Sequence, residues 1–230
     1  MKIADEIRKC VAFVGHEDNK GGKHLVGTCF FVYHTFHHIA TTYHPTWCVT
    51  ARHVIKRIEF LRKDSATPLA MFLRLNLSSG GTREIKIETT DWECHEDTAF
   101  DAAVTPFALD RWIYDHAAYP IEKCLTPELI ESECIGIGTQ LFFVGLFKKH
   151  SPESKNIPIL RVGNIAAMPD VTVKTEMGLS SVYLVESRSI GGLSGSPVFT
   201  YKEPWVVNLG GETEIASPPT RNSLMGVTAC

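Results

Sequence analysis

A serine between glycines near the end of the chain is the residue best suited to nucleophilic chemistry. Residues 191–198 have the sequence GGLSGSPV, with Ser194 at the fourth position. Glycines on both sides allow backbone N–H groups to converge beside the hydroxyl, where they can stabilise a developing oxyanion. The same string is equally typical of a plain Gly/Ser turn between two strands. Taken alone, the segment does not separate these two interpretations.

A histidine and an aspartate elsewhere in the chain favour the chemical interpretation. His53 follows the apolar run at 46–51, and Asp101 is a lone carboxylate within the apolar segment 100–104. A carboxylate among such neighbours is expected to be partly buried and to need a partner, which His53 can supply. A histidine oriented by a carboxylate can take the proton from a serine hydroxyl, which is otherwise a weak nucleophile at neutral pH.

Competing nucleophile arrangements do not fit the sequence. A nucleophile elbow has the pattern G-x-S-x-G and a histidine after the serine, whereas Ser196 stands at the second glycine position and the last histidine is His150. None of the seven cysteines lies in a comparable glycine-rich turn. Asp97 is the one rival of Asp101, but its polar neighbours are typical of an exposed loop.

The elements that must position these residues are short strands. Nine apolar runs rich in Val, Ile, Phe, Thr and Tyr are separated by turn signals, namely residues 25–33, 46–51, 71–77, 83–88, 140–147, 157–162, 182–187, 196–201 and 223–228. Helical patterns are limited to 2–10, 53–57 and 126–132, where Thr126 is a candidate cap before Pro127. Because strands do not alternate with long helices, we predict an all-β protein with antiparallel sheets.

A proline-interrupted stretch separates two β-rich halves of similar size. We predict an N-terminal unit over residues 1–115, a linker over 116–137 and a C-terminal unit over 138–230. The total of 230 residues suits either one large domain or two small ones. Two small barrels fit this division.

Composition and charge exclude several classes of protein. The chain is 44% hydrophobic and 21% charged, with a formal net charge of −3, so it lacks the basic footprint of a nucleic-acid or anionic-membrane partner. No apolar run reaches the roughly 18–20 residues needed to span a bilayer, and the first residues lack the apolar region of a signal peptide. We therefore expect a soluble, cytoplasmic protein.

The cysteines and histidines give little indication of a metal site. The seven cysteines are odd in number and include no C-x-x-C pair, which disfavours a disulfide framework or a structural zinc site. His34, His37, His38 and His44 could bind a metal, but no cysteine or acidic ligand stands at a fixed spacing from them. A solvated loop or strand end is the favoured interpretation, and we expect no cofactor.

The segments around His53, Asp101 and Ser194 resemble the His, Asp and Ser motifs of trypsin-like (chymotrypsin-fold) serine peptidases. They occur in that family's order, 48 and 93 residues apart, and residues 27–32 and 161–165 resemble its supporting strands. The resemblance spans nearly the whole chain. It implies two six-stranded antiparallel Greek-key barrels with the three residues in the cleft between them.

The same resemblance implies a serine endopeptidase that cleaves protein or peptide substrates through an acyl-enzyme. The backbone N–H groups of Gly192 and Ser194 would form the oxyanion hole. Cys48 has no disulfide partner near His53, and no activation cleavage site is recognisable, as in intracellular or bacterial members of the family.

The end of the chain departs from the family pattern. Residues 223–230 resemble one wall of the specificity pocket, after which the family has a further strand and a helix. We expect the second barrel to be incomplete at its C-terminus and the chain to be a module of a longer protein. Such an effector domain would be held inactive until a fused or partner sensor is triggered.

Specificity has two open interpretations. Arg188 stands six residues before Ser194, where the family has the base of its first pocket, and Thr228 lies on the strand that forms a pocket wall. An arginine at the pocket base would suit an acidic substrate side chain, whereas in the other interpretation Arg188 faces solvent. The alternative function is a catalytically silent peptidase-fold module used for binding or scaffolding, although the intact triad argues against it.

Overall fold

Antiparallel strands are the predominant secondary structure of the computed structural model, which describes residues 3–39, 41–63, 70–146, 154–170, 172–175, 178–187, 193–201, 205–207, 213–215 and 222–229. The helices described are α1 Asp5–Lys9, α2 Arg52–Lys63 and α3 Pro127–Ser132, with single 3-10 turns at Thr89–Asp91 and Ile121–Lys123. The strands of the first half are β1 Val11–Glu17, β2 Lys23–Tyr33, β3 Phe36–His38, β4 Thr41–Tyr43, β5 Thr46–Thr50, β6 Met71–Asn76, β7 Thr82–Ile87, β8 Glu93–Cys94, β9 Ala103–Pro106 and β10 Tyr119–Pro120. Those of the second half are β11 Gln140–Leu146, β12 Pro158–Ala167, β13 Val173–Thr175, β14 Gly178–Ser180, β15 Leu184–Ser187, β16 Pro197–Thr200, β17 Trp205–Val207, β18 Thr213–Ile215 and β19 Leu224–Val227.

The larger sheet has eight strands in the order β7-β6-β1-β2-β5-β9-β8, with β10 added in parallel beside β2. Its other neighbours pair antiparallel. The central strands β1 and β2 are buried on both faces, which explains their continuous apolar runs. Cys29 and Phe31 pack into a first core on one face, and Phe13, Phe30 and Val32 pack into a second core on the other.

The smaller sheet has five antiparallel strands in the order β15-β12-β11-β16-β19. Its strand β11 alternates in the same way as β2. Phe142 and Val144 join the second core, whereas Leu141 and Phe143 face a third. The second core therefore contains side chains from both sheets, and their burial is the main force that holds the two sheets together.

The all-β class with antiparallel sheets is confirmed, and each of the nine predicted runs contains a strand. Within the described residues neither sheet closes on itself, since β7 and β8 end the larger sheet and β15 and β19 end the smaller one. Two six-stranded barrels therefore stay a prediction. Three smaller pairs, β3-β4, β13-β14 and β17-β18, lie outside both sheets.

The helices were predicted in part. Helix α3 begins as expected, because the Thr126 side chain accepts a hydrogen bond from Leu129 N at 3.3 Å and Pro127 occupies the first turn. The short turn predicted at 53–57 is wrong in extent, since α2 continues to Lys63. Its buried residues Val54 and Ile55, with Ile58 one turn later, anchor the helix in the first core.

None of the helices in the described residues is long and apolar enough to cross a membrane. The six cysteines among those residues are free, and three of them, Cys10, Cys29 and Cys48, are buried.

Candidate active site

His53 and Asp101 are brought together by the register of two neighbouring strands. Strands β5 and β9 pair antiparallel with Thr50 opposite Ala103. Asp101 comes two residues before Ala103, and His53 comes three residues after Thr50 as the second residue of α2, so both residues lie at the same end of this strand pair. The pair therefore follows from strand pairing and does not require a long loop.

The Asp101 carboxylate binds His53 through both of its oxygens. Oδ2 lies 2.5 Å from His53 Nδ1, and Oδ1 accepts a hydrogen bond from the His53 backbone N at 2.8 Å. The side chain of Asp101 is only 11% exposed, whereas that of His53 is 35% exposed. Because a carboxylate only accepts, Nδ1 carries the proton and a neutral imidazole keeps its lone pair on Nε2.

The loop that carries Asp101 is closed by its own hydrogen bonds. His95 N donates to Ala102 O at 3.3 Å, and Asp97 Oδ1 accepts from Ala99 N at 2.9 Å. Arg52 Nη1 also donates to His95 O at 3.3 Å and so ties the loop to the start of α2. Asp97 is thus a turn residue in an exposed loop, as its neighbours predicted, and Asp101 is the carboxylate that contacts His53.

The turn that contains Ser194 packs against the strand ends that carry His53. A methyl group on Gly27 would lie 3.0 Å from Ser194 O and 2.9 Å from Val54 Cγ2, so these two groups meet over the same glycine. Gly195 has a φ of +84°, and a methyl group there would overlap Thr28 O and Thr50 Oγ1. Only glycine allows this close approach between the turn and the larger sheet.

Backbone hydrogen bonds hold the Ser194 turn from both sheets. From the larger sheet, Thr28 N donates to Ser194 O at 2.9 Å. From the residue after β19, Thr228 O accepts from Gly195 N at 3.0 Å, and Thr228 N donates to Ser196 O at 3.0 Å. The two sheets therefore fix the position of Ser194 together.

Burial distinguishes the two serines of the turn. Ser196 is fully buried against Gly145 of β11, whereas Ser194 is 9% exposed. A nucleophile must be reached by its substrate, so Ser194 is the better candidate of the two.

Cys48 is fully buried in the strand that leads to His53, and burial raises the pKa of its thiol well above the usual value. Such a thiol is inert as a nucleophile.

The structure describes four of the six residues predicted for the site. His53 and Asp101 are in direct contact, and the Ser194 turn lies against their strand ends. Thr228 is buried, its hydroxyl donates to Leu193 O at 2.6 Å, and its lining of a substrate pocket stays a prediction. Gly192 and Arg188, predicted for the oxyanion hole and the pocket base, lie outside the described residues.

Two threonines of the larger sheet also shape the site and were not singled out from the sequence. Thr50 donates its hydroxyl to Thr28 O at 2.7 Å, and Thr28 Oγ1 accepts from Leu146 N at 3.2 Å. Both are fully buried in otherwise apolar strands. A buried polar residue needs a partner, and this is the signal by which they could have been found.

The histidine-rich segment forms the exposed hairpin β3-β4 and its flanks. His34 Nδ1 lies 2.7 Å from Glu122 Oε1, and His44 Nδ1 lies 3.3 Å from Thr35 Oγ1. In the part of the chain that the structure describes, no three His, Cys, Asp or Glu side chains are grouped as a metal site requires. This exposed hairpin is compatible with the favoured interpretation of a solvated loop or strand end.

Comparison with solved structures shows a partial likeness to a known protease. No protein-family model and no curated protein sequence matches the chain. The structure is similar to that of the thermostable serine protease AL20 from an extremophilic microorganism, with a TM-score of 0.44 and 14% sequence identity over 98% of this chain and 93% of that one. A likeness at this level does not establish family membership, so function has to be inferred from the geometry of the site.

Proposed function

We propose that this chain is a serine endopeptidase in which Ser194 attacks the peptide bond, His53 moves the proton and Asp101 orients His53. The observation that carries the proposal is the two-point contact of Asp101 with His53, at 2.5 and 2.8 Å, beside the turn that contains Ser194. A histidine fixed by a buried carboxylate next to a serine between glycines is the arrangement that serine acyl transfer requires.

In the first step of the proposed reaction, Ser194 Oγ forms a bond to the scissile carbonyl carbon. Its proton passes to His53 Nε2, and the resulting imidazolium is stabilised by Asp101. The carbonyl oxygen becomes an oxyanion, for which the N–H groups of Ser194 and Gly192 are the proposed donors. Because Asp101 is mostly buried, its charge acts on His53 with little screening by water.

In the second step, His53 returns its proton to the leaving amine, the C–N bond breaks and an acyl-enzyme remains on Ser194. Water then attacks the acyl carbon as His53 removes its proton, and Ser194 is released with its hydrogen restored. Each proton that leaves a nucleophile reaches a leaving group, so the cycle balances without a cofactor.

Three finer features belong to the same proposal. The larger and smaller sheets correspond to two barrels that share one catalytic site between them. Arg188 recognises an acidic side chain on the substrate. The chain works as an effector module whose activity is controlled by a fused or partner sensor. A peptide library that shows no preference for Asp or Glu at the cleaved position would contradict the second feature.

Hydrolysis of fluorescently labelled casein tests the proposal. We expect release of labelled peptides by the wild-type chain and none above background with Ser194→Ala. Ser196→Ala is the matched control, since Ser196 lies in the same turn but is fully buried, and it should retain most of the activity. If the wild-type chain hydrolyses casein at no pH or salt concentration, and Ser194 does not react with a fluorophosphonate under any of these conditions, the scaffold alternative replaces the enzyme.

A further inference from the structure

The carbonyl oxygen of Leu193 accepts two short hydrogen bonds within the nucleophile turn. Thr228 donates its side-chain hydroxyl to Leu193 O at 2.6 Å, and Ser196 N donates to the same oxygen at 2.8 Å. Thr228 is 8% exposed and Leu193 is 4% exposed, so the contact is shielded from water. A buried hydrogen bond of this kind has a well-defined direction.

That carbonyl belongs to the peptide bond that also contains the N–H of Ser194. The peptide unit is planar and trans, so its C=O and N–H point in opposite directions. Fixing the direction of Leu193 O therefore fixes the direction in which the Ser194 N–H points. A hydrogen bond to the oxygen of a peptide group also polarises it and strengthens its N–H as a donor.

The backbone of Thr228 cannot have this effect by itself. Its N and O pair with Ser196 O and Gly195 N, which both follow Ser194 in the chain. Only the side-chain hydroxyl reaches back to Leu193, on the other side of the serine. The residue at 228 thus holds the turn at both flanks of Ser194, and it reaches the flank before Ser194 only through its hydroxyl group, which shares Leu193 O with Ser196 N.

We propose that Thr228 is a positioning residue, whose hydroxyl aims and polarises the Ser194 N–H toward the oxyanion formed at Ser194. The inference rests on the proposed peptidase function and adds a specific role for the Thr228 side chain. Thr228 touches neither substrate nor the reacting atoms in this role. It acts through the Leu193–Ser194 peptide bond.

The test compares hydroxyl-free and hydroxyl-containing variants in their reaction with a fluorophosphonate, which also requires oxyanion stabilisation at the serine. The variants are Thr228→Val and Thr228→Ser, and Thr200→Val is the matched control. Thr200 is another fully buried threonine whose hydroxyl donates to a carbonyl, Ser223 O at 3.4 Å, away from the Ser194 turn. The maximal labelling rate, the reversible affinity of the probe, the pH profile of labelling and the melting temperature are measured for each.

We expect Thr228→Val to lower the maximal labelling rate by between about 10-fold and about 100-fold, somewhat less than the loss of an entire oxyanion donor. The reversible affinity and the midpoint of the pH profile should not change, because the substitution leaves His53 and Asp101 untouched. Thr228→Ser and Thr200→Val should label within about threefold of the wild-type rate, since the hydroxyl remains in one and the turn is intact in the other. If Thr228→Val does not fold, Thr228→Cys replaces it, with an intermediate loss expected from its weaker donor.

Two results would overturn the inference alone. One is a wild-type rate in folded Thr228→Val. The other is a Thr228→Ser rate as low as that of Thr228→Val, which would assign the effect to packing of the methyl group. If the wild-type chain is not labelled at all, or if Ser194→Ala is labelled as well, the proposed function fails and the inference falls with it.

Discussion

The two parts of the candidate site are held in different ways. His53 lies on α2 and Asp101 lies in the loop before β9, both beside the larger sheet, and the Asp101 carboxylate joins them through two hydrogen bonds. The Ser194 turn is held by backbone groups, with Thr28 of the larger sheet on one side and Thr228, which follows the smaller sheet, on the other. One part is a side-chain contact within a sheet, and the other is a backbone junction between sheets.

Because of this difference, substitutions in the two parts should affect activity and stability to different degrees. A substitution in the His53–Asp101 pair removes functional groups and leaves the strand pairing of β5 and β9 in place. A substitution in the turn disturbs the packing between the two sheets as well as the serine. The comparison therefore predicts large losses of activity with little loss of stability at the pair, and losses of both at the turn.

Asp101→Asn should give the largest effect on activity. An amide cannot accept two hydrogen bonds through two separate oxygens, so it favours the imidazole tautomer with the proton on Nε2, which cannot take the serine proton. We expect the rate of ester or casein hydrolysis to fall on the order of 10⁴-fold. The cooperative unfolding transition should be retained.

Asp97→Asn is the control in the same loop. Its Oδ1 accepts from Ala99 N, and an asparagine can still do so. Hydrolysis should stay near the wild-type rate. Equal losses in the two variants would mean that the loop as a whole, and not the contact of Asp101 with His53, controls activity.

Gly195→Ala tests the junction between the sheets and should give the largest effect on stability. The new methyl group would overlap Thr28 O and Thr50 Oγ1, and the residue would keep an unfavourable φ of +84°. We expect a loss of about 3 kcal/mol or more in the free energy of unfolding, measured by urea denaturation, together with a loss of activity. Gly80→Ala is the control, because Gly80 has a φ of +91° but no neighbour within 4 Å of an added methyl group. It should lose only about 1 kcal/mol, and similar losses at the two sites would contradict the close packing at Gly195.

A smaller effect, on the pH dependence of stability, is expected from His16, the buried histidine of the larger sheet. His16 on β1 stacks on His24 with ring centroids 5.3 Å apart, and burial, with His24 and Arg57 nearby, lowers the pKa of His16 despite the opposing Glu17 carbonyl and Asp18 carboxylate. The His16 side chain therefore takes up a proton more readily in the unfolded chain than in the folded one. The contribution of neutral His16 to the free energy of unfolding is complete above about pH 6.5, and it is lost as the pH falls through the folded-state pKa.

Hydrogen exchange at pH 7.5 and pH 5.5 measures this effect in both sheets. After correction for the intrinsic amide exchange rate at each pH, exchange should accelerate in β1 and β2 at the lower pH and change less in β11 and β16, because the described residues of the smaller sheet include no histidine. The acceleration should weaken in His16→Gln. Equal acceleration in both sheets of the wild-type chain would contradict the assignment to His16.

Much of the strand pattern and the candidate residues could be predicted from sequence because both depend on local signals. Apolar runs between turns marked nine strands, and a carboxylate in an apolar segment indicated that Asp101 needs a partner. Strand β1, Val11–Glu17, was missed, because it follows α1 without a Gly or Pro turn between them. Helix α2 was predicted too short, because β-branched residues such as Val54 and Ile58 have a lower intrinsic helix propensity.

The contacts that hold the turn could not be predicted, because they join residues far apart in the chain. Thr28 and Thr228 reach the same turn from two different sheets, and nothing in their neighbouring residues indicates the partner. The need of a buried hydroxyl for a partner is visible in sequence, but the identity of that partner depends on the packing of the sheets.

The most direct test of the central claim is peptide mapping by mass spectrometry after reaction with a fluorophosphonate. The wild-type chain should gain the mass of one phosphonyl group, located on Ser194, and His53→Ala should gain it at least about 10³-fold more slowly. An adduct on Ser196 or on a cysteine, no adduct at all, or an undiminished rate in His53→Ala would contradict the claim that His53 activates Ser194.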